Sequence, residues 1–147
     1  MVVSIFDGEY AFLSNFYMHS IEEDGIVYPS NEHYFQAMKS LDRHERLFIA
    51  AAETPGKAKR RGRQTALRAD WENVKDEVML NALRLKFADP ILGQKLLDTG
   101  DAELIEGNTW CDNTWGVCSC PRCPGVGQNR LGRYLMKVRE ELKGQNQ

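Results

Sequence analysis

The sequence contains no long apolar run, and no stretch approaches the roughly 18 residues that a membrane-spanning helix requires. The first residues, MVVSIFDGEY, lack the basic segment and apolar stretch of a secretory signal. Proline is scarce at 5 residues, and the chain has neither an internal repeat nor a Ser/Gly-rich linker. These absences predict a single domain over residues 1–147, located in the cytoplasm.

An excess of charge of one sign is also missing. The chain has 19 Lys plus Arg against 21 Asp plus Glu, for a formal net charge of −2. This balance excludes a global attraction to nucleic acid, so any site for a polyanion must be local. A chain of 147 residues can bury roughly two-thirds of its unfolded surface and needs neither disulfides nor a metal to form a core.

Cysteine is absent outside one short segment. That segment holds Cys111, Cys118, Cys120 and Cys123. Such clustering is unlike the scattered framework of a secreted disulfide domain. Only the last two have the CxxC spacing of a zinc knuckle, and no strand–helix motif of a redox CxxC site surrounds them. The sequence favours free or partly buried thiols and no cofactor; structural zinc is the alternative, and redox chemistry comes third.

The hydrophobic periodicity predicts an α+β domain, rich in helix, with a small β-sheet. Strands are expected at 2–6 and on either side of Asp24-Gly25, a dipeptide typical of tight hairpin turns. Helices are expected at 31–41, 43–52, 55–63, 70–88, 90–97 and 131–142, with Thr54 as the cap and Pro55 in the first turn of the third. A buried strand at 102–108 should lead into a long loop at 109–128.

Three polar side chains share one stripe of the helix predicted at 31–41. Glu32, Gln36 and Lys39 fall on one face because seven residues make nearly two turns of about 3.6 residues each. A carboxylate and an ammonium on that face can address opposite sides of a ligand in one cleft. The alternative is an ordinary solvated polar face.

The segment EGNTWCDNTWG, at 106–116, combines two tryptophans with two carboxylates. Trp faces beside Glu106 and Asp112 suit a flat heterocycle, and long structured loops are often functional. In the alternative interpretation, Trp110 and Trp115 anchor the loop to the core while the two carboxylates cap turns.

A basic run, KAKRRGR, occupies 57–63 just after Thr54-Pro55-Gly56. Basic side chains and free amides at a helix start can hold phosphate together, and arginine can do so with two parallel hydrogen bonds. In a chain of net charge −2 this run is the obvious anion site, although a solvated basic face is the alternative.

Several ordered motifs resemble one family nearly end to end. They are FLSNFY (12–17), YPSNEHYFQAMK (28–39), TPGKAKRRGR (54–63), DW with VKDEVM (70–79), LRLKF (83–87), LLDTGDAELIEGN (96–108), DNTWG (112–116) and NRLGRYLMKVREEL (129–142). Together they resemble the NADAR family, also called YbiA-like.

The resemblance implies a YbiA-like α+β fold and an N-glycosidase that cuts between ribose C1 and an exocyclic amine. The substrates it implies are ribosylamino-pyrimidine phosphates of riboflavin biosynthesis, or ADP-ribose on the amino group of guanine in nucleic acid. Positive charge develops at the ribosyl carbon, so the site needs a carboxylate, a stacking wall and phosphate contacts. The chain carries no fused riboflavin-pathway domain, which favours removal of ADP-ribose from guanine.

The resemblance also implies residue roles. Glu32 and Asp112 match the acidic positions and would stabilise the ribosyl cation and move protons. Lys39 would capture C1 as a Schiff base. The proposed substrate contacts are Asn15, Arg60, Arg63, Trp71, Glu106 and Trp115, of which the two tryptophans would stack on the base and the two arginines would bind phosphate.

The sequence departs from the family in VCSCPRCPGVGQ, at 117–128, where three added cysteines replace a Gly-rich polar stretch. The departure lies beside Asp112 and Trp115 and so bears on substrate preference. A competing interpretation is a non-catalytic module, zinc-stabilised or not, that binds ADP-ribose or nucleic acid. No membrane partner is expected.

Overall fold

The computed structural model describes residues 1–123 and 125–145. The α-helices are α1 Asn31–Ala37, α2 Arg43–Ala50, α3 Pro55–Gly62, α4 Trp71–Phe87, α5 Pro90–Asp98 and α6 Arg130–Gln145. The strands are β1 Val2–Val3, β2 Met18–Glu23, β3 Ile26–Ser30, β4 Glu103–Leu104, β5 Gly107–Asn108 and β6 Val117–Cys118, and a 3₁₀ helix spans Gly8–Leu13. No helix in the described ranges is both long enough and apolar enough to span a bilayer.

Backbone contacts group the chain into two units. The central unit is Asn15–Lys86, and the terminal unit combines Met1–Ser14 with Phe87–Gln147. Within the described residues, the strands form two-stranded sheets: β1 with β4, β2 with β3, and β5 with β6. The predicted α+β class, rich in helix with little sheet, is therefore confirmed.

The central unit starts with the β2–β3 hairpin. Its strands pair antiparallel from Glu23↔Ile26 to Met18↔Ser30. Asp24 and Gly25 adopt φ values of 53° and 77°, the left-handed pair that a tight hairpin turn requires. The hairpin prediction is confirmed at residue level.

Helix α1 follows β3 directly and is buried along its whole length. The Ser30 hydroxyl caps it by accepting a hydrogen bond from the His33 backbone N–H at 3.2 Å. The predicted end at Leu41 is wrong, because α1 ends at Ala37. The backbone then tightens, with the Lys39 N–H donating to the Gln36 carbonyl at 3.2 Å, so Lys39 lies in the turn after the helix.

His33 links α1 to the segment after α2. Its side chain is fully buried, and its Nε2 lies 2.9 Å from the Ala52 carbonyl oxygen. A carbonyl only accepts, so Nε2 carries the hydrogen and Nδ1 accepts from the Ser30 hydroxyl at 2.7 Å. Burial lowers the pKa of His33, which keeps the ring neutral and fixes it as a structural bridge.

Helix α3 begins as the sequence predicts. The Thr54 hydroxyl accepts from the Lys57 N–H at 3.1 Å, and Pro55 occupies the first turn. Ala58 and Gly62 are the buried positions of α3, so its charged residues lie along the outward part of a short helix. Helix α4 then forms the longest element, starting at the buried Trp71.

In its described residues, the terminal unit contains short parallel strand pairs, the 3₁₀ helix and the α-helices α5 and α6. β1 pairs with β4 and β5 pairs with β6, so the single strand predicted at 102–108 is wrong and is split into two. The Asn129 side chain bridges the interruption between β4 and β5. It donates to the Leu104 carbonyl at 2.9 Å and accepts from the Glu106 N–H at 3.0 Å. The segment expected to be only loop, 109–128, contains β6.

Candidate active site

Glu32 lies in the first turn of α1 and is only 8% exposed. Its backbone N–H donates to the Asn15 carbonyl at 3.0 Å. Gln36, one turn later, donates from Nε2 to Glu32 Oε1 at 2.8 Å. The side chain is therefore a buried carboxyl held in one orientation by its own helix.

Lys39 is half-buried in the turn that follows α1, with Nζ 6.0 Å from the centre of the Phe35 ring. Burial lowers the pKa of Lys39 below the ordinary lysine value. The negative charge of Glu32 opposes this shift, whereas the positive charges of Lys59 and Arg63 reinforce it. Glu32 and Lys39 thus act on each other's charge, and the lowered pKa leaves a larger neutral fraction of Lys39 than of a surface lysine.

The basic run of α3 separates into two groups. Arg61 donates to the Phe48 carbonyl at 2.6 Å and lies over the Phe48 ring, and Lys57 pairs with Glu53 at 2.9 Å. These two cations are therefore engaged within the fold.

The second group lies nearer to Lys39. Lys59 lies on α3 and Arg63 caps its C-terminal end four residues later, so the two share a face, and both act on the charge of Lys39. Arg60 lies about 100° around the helix from Lys59 and is exposed. Lys59 and Arg63 thus place positive charge near Lys39, and phosphate binding by Arg60 and Arg63 stays a prediction.

Buried amides surround the start of α1. Asn15 is 8% exposed and donates from Nδ2 to Met79 Sδ at 3.3 Å. Its Oδ1 has no hydrogen-bond partner within residues 1–123 and 125–145, and neither do the Asn31 side-chain amide nor Gln36 Oε1. Unpartnered buried polar atoms are costly and often mark places where a ligand completes the bonding. The sequence did not single out Asn31, and only its place beside Glu32 in SNEHYFQ hinted at it.

Trp71, at the start of α4, is 6% exposed. Its ring meets Phe35 of α1 edge-on, with centroids 5.1 Å apart and an interplanar angle of 61°. This contact fixes the Trp71 ring against the helix that carries Glu32. Stacking of Trp71 on a substrate base stays a prediction.

The other predicted site residues lie in the terminal unit. Asp112 Oδ1 accepts from the Thr114 N–H at 3.2 Å and the Trp115 N–H at 2.9 Å, and so closes a turn. Buried Asn108 holds the same loop, accepting from the Asp112 N–H at 3.1 Å and donating to the Asp112 carbonyl at 2.9 Å. The turn-capping role of Asp112 is thus present, and its catalytic role stays a prediction.

The aromatic residues of this loop differ in environment. Trp110 is 65% exposed, so it does not anchor the loop to the core. Trp115 is half-buried, and its carbonyl accepts from the Leu131 N–H at 3.0 Å, where α6 begins. Glu106, also half-buried, pairs its backbone carbonyl with the Val117 N–H at 2.9 Å. Roles for Glu106 and Trp115 in substrate binding stay predictions.

Comparisons with known proteins agree with this architecture. The family model described as the NADAR domain matches residues 5–143. The chain is 43% identical over 137 residues to the N-glycosidase YbiA of Escherichia coli strain K12, covering 91% of this chain and 82% of that protein. The NMR structure of the E. coli protein YbiA matches with a TM-score of 0.80 and 39% identity, covering 99% of this chain and 89% of that chain.

Two further relatives show the range of the match. An N-glycosidase of Nostoc punctiforme is 38% identical over 142 residues, covering 91% of this chain and 86% of that protein. A riboflavin biosynthesis protein of Vibrio vulnificus is 41% identical over 140 residues, which cover 93% of this chain but 37% of that longer protein. The region of similarity is therefore nearly the whole of this chain in each case.

Proposed function

The chain belongs to the NADAR family and is an N-glycosidase, and on that premise we propose that it hydrolyses the bond between ribose C1 and the exocyclic amine of a nucleobase-like heterocycle. The proposed substrates carry phosphate. They are ADP-ribose attached to guanine in nucleic acid, or a ribosylamino-pyrimidine phosphate. The name of the Vibrio vulnificus relative supports the second class.

The observation that carries this proposal is the combination of Glu32 and Lys39. A buried carboxyl and an amine of lowered pKa act on each other beside two further cations, Lys59 and Arg63. A carboxylate can stabilise the positive charge that develops at C1 and can move a proton. A partly neutral amine can attack the same carbon.

The proposed reaction uses these two groups in sequence. The Lys39 ammonium gives a proton to Glu32, which passes it to the ribose ring oxygen while the exocyclic nitrogen donates its lone pair to C1. The bond from C1 to the ring oxygen breaks, and an iminium cation forms between C1 and the exocyclic nitrogen. Neutral Lys39 Nζ adds to C1, a proton moves to the heterocycle nitrogen, and the heterocycle leaves with its amine.

A Schiff base between Lys39 and C1 then remains. Water adds to C1, the lysine leaves as an amine, and the ribose aldehyde closes its ring again. The sum is one water consumed per bond cleaved. Lys59 and Arg63 are proposed to bind the phosphate of the substrate, since both carry positive charge close to Lys39.

The function is tested by offering the purified protein both substrates, an ADP-ribosylated guanine oligonucleotide and a ribosylamino-pyrimidine phosphate. Mass spectrometry should detect a released heterocycle and the matching ribose phosphate or ADP-ribose from at least one of them. Tight binding of both substrates without cleavage of either would contradict the proposal and indicate a binding module.

Substitution of Gly62 tests whether the hydrogen bond from Gln36 that orients Glu32 is needed for activity. A Cβ at Gly62 would meet Gln36 Oε1, and would also approach Gln36 Cβ and Cδ to 3.0 Å. Gln36 is buried and cannot move aside freely, so Gly62→Ala should break its bond to Glu32, lower stability by about 1–3 kcal/mol and lower kcat about tenfold. The measurements are urea unfolding and product release.

Gly56→Ala is the matched control in the same helix. A Cβ at Gly56 would meet only Thr54 Oγ1, at 3.9 Å. It should leave kcat unchanged and raise stability by about 0.4–1 kcal/mol, through the lower entropy of the unfolded chain. Equal stability and equal kcat in the two alanine variants would show that Gly62 and Gln36 do not position Glu32.

Asp112 offers a test that separates charge from structure. Asp112→Asn keeps an oxygen that accepts from the Thr114 and Trp115 N–H groups but removes the negative charge. If Asp112 acts as a catalytic carboxylate, this variant should keep its melting temperature and lose about 10²-fold in kcat. Asp112→Ala should lower both the melting temperature and kcat. Full activity of Asp112→Asn would restrict Asp112 to closing its turn.

A further inference from the structure

The four cysteines of the terminal unit converge on one point. Their Sγ atoms all lie within 4.8 Å of one another. Cys111 Sγ lies 3.5 Å from Cys120 Sγ and 3.3 Å from Cys123 Sγ, and the last two are 3.6 Å apart. The cluster is built from two separate stretches, 111 and 118–123, so sequence proximity alone does not explain it.

We propose that Cys111, Cys118, Cys120 and Cys123 bind one structural zinc ion. A tetrahedral site with Zn–S bonds of about 2.3 Å places its sulfur atoms about 3.8 Å apart. The three separations among Cys111, Cys120 and Cys123, 3.3–3.6 Å, are close to that value, and Cys118 Sγ lies within 4.8 Å of each of them. They are much longer than a disulfide bond of about 2.05 Å, and all four residues are free cysteines.

The backbone around the cluster supports thiolate ligands. Cys118 is buried, and its Sγ accepts from the Cys111 N–H at 3.3 Å and the Cys120 N–H at 3.4 Å. Such N–H donors stabilise negative charge on sulfur and orient it toward a metal. The Cys123 N–H donates to the Cys120 carbonyl at 3.0 Å, which closes the CxxC turn so that both of its thiols face the cluster.

The fold brings Cys118 to this point by two pairings. β6 pairs with β5, where Asn108 is opposite Cys118, and an antiparallel bridge joins Cys118 to Val126. Cys111 reaches the cluster with a φ of 65°, a conformation uncommon for residues other than glycine. The CxxC spacing marked only two of these ligands, because the other two come together through β5, β6 and this turn.

The proposed zinc would order the segment that carries two candidate site residues. Asn108, opposite Cys118, also holds the backbone of Asp112, whose carboxylate in turn binds the Trp115 N–H. With four protein ligands the site is closed and offers no open position for water or substrate. Its role is therefore structural, and it is independent of the chemistry proposed for Glu32 and Lys39.

Metal analysis of protein produced in zinc-supplemented medium and purified under reducing conditions tests this proposal. About one zinc per chain is expected, together with four thiols that react with a thiol reagent only after the metal is removed. A metal-free protein with four freely reactive thiols would overturn the proposal. One equivalent of iron in place of zinc would overturn the identity of the metal.

Cobalt provides a readout that does not depend on activity or on a variant's folding. Co²⁺ added to the metal-depleted protein should give the intense visible absorption of tetrahedral thiolate coordination, and zinc should displace it. Weak octahedral absorption would contradict the site. Cys123→Ser should abolish the tetrahedral spectrum, whereas Arg122→Ala, in the same turn, should keep it. Removal of the metal should speed amide exchange at 107–123 and spare α1.

Discussion

Replacing Glu32 with glutamine is expected to lower kcat about 10³-fold while substrate binding is retained. Glutamine has the same shape, and its carbonyl oxygen can still accept the hydrogen bond that Gln36 gives to Glu32 Oε1 at 2.8 Å. The fold of α1 should therefore survive. What the variant loses is the negative charge beside C1 and the ability to carry a proton.

The measurement is single-turnover product release at saturating substrate, with affinity from calorimetry. Glu22→Gln is the matched control, since Glu22 is an exposed carboxylate in the same unit. It should behave as wild type. Wild-type turnover in Glu32→Gln, or equal losses in both variants, would remove Glu32 from the mechanism.

Replacing Lys39 is the second change expected to abolish turnover. Lys39→Arg keeps a positive charge near Glu32 but has no amine that can become neutral, so kcat should fall about 10³-fold. Borohydride added during turnover should trap a ribosyl adduct on Lys39 of the wild type, found by peptide mass spectrometry, and no adduct on the variant. Rapid turnover of Lys39→Arg would argue for direct hydrolysis by water.

The pH profile gives a separate test of Lys39. Because the Lys39 ammonium supplies the proton that opens the ribose ring, kcat should fall as the pH rises through the lowered pKa of Lys39. Lys59→Gln removes a positive charge that disfavours protonation of Lys39, so the pKa of Lys39 should rise and the descending limb of the profile should move to higher pH. Lys57→Gln is the control, because the Lys57 ammonium pairs with Glu53 at 2.9 Å in the wild type. This variant should leave the pH profile of kcat unchanged.

Local rules predicted much of the fold. The Asp24-Gly25 turn and the Thr54 cap with Pro55 follow from residue types that adopt few conformations. The end of α1 did not follow, because the polar stripe continues to Lys39 while the backbone has already left the helix. A periodic pattern indicates which face of a helix is polar, but it does not indicate where the backbone hydrogen bonds of the helix end.

The sequence selects candidate site residues by type but does not show which side chains act on one another. Glu32 and Lys39 could be selected from motifs, and the structure joins them electrostatically. The sequence did not indicate that Lys59 acts on the charge of Lys39, because that depends on how α3 is placed beside the turn after α1. Unpartnered buried atoms such as Asn15 Oδ1 are invisible in a sequence, because they depend on what the rest of the fold fails to supply.

Hydrolysis between ribose C1 and the exocyclic amine is tested most directly by determining which bond to the exocyclic nitrogen breaks. A substrate carrying ¹⁵N at that nitrogen should release a heterocycle that retains the label, together with an unlabelled sugar phosphate, because cleavage lies between ribose C1 and the amine. Label recovered as ammonia, or on a sugar that keeps its nitrogen, would show cleavage on the heterocycle side and contradict the account.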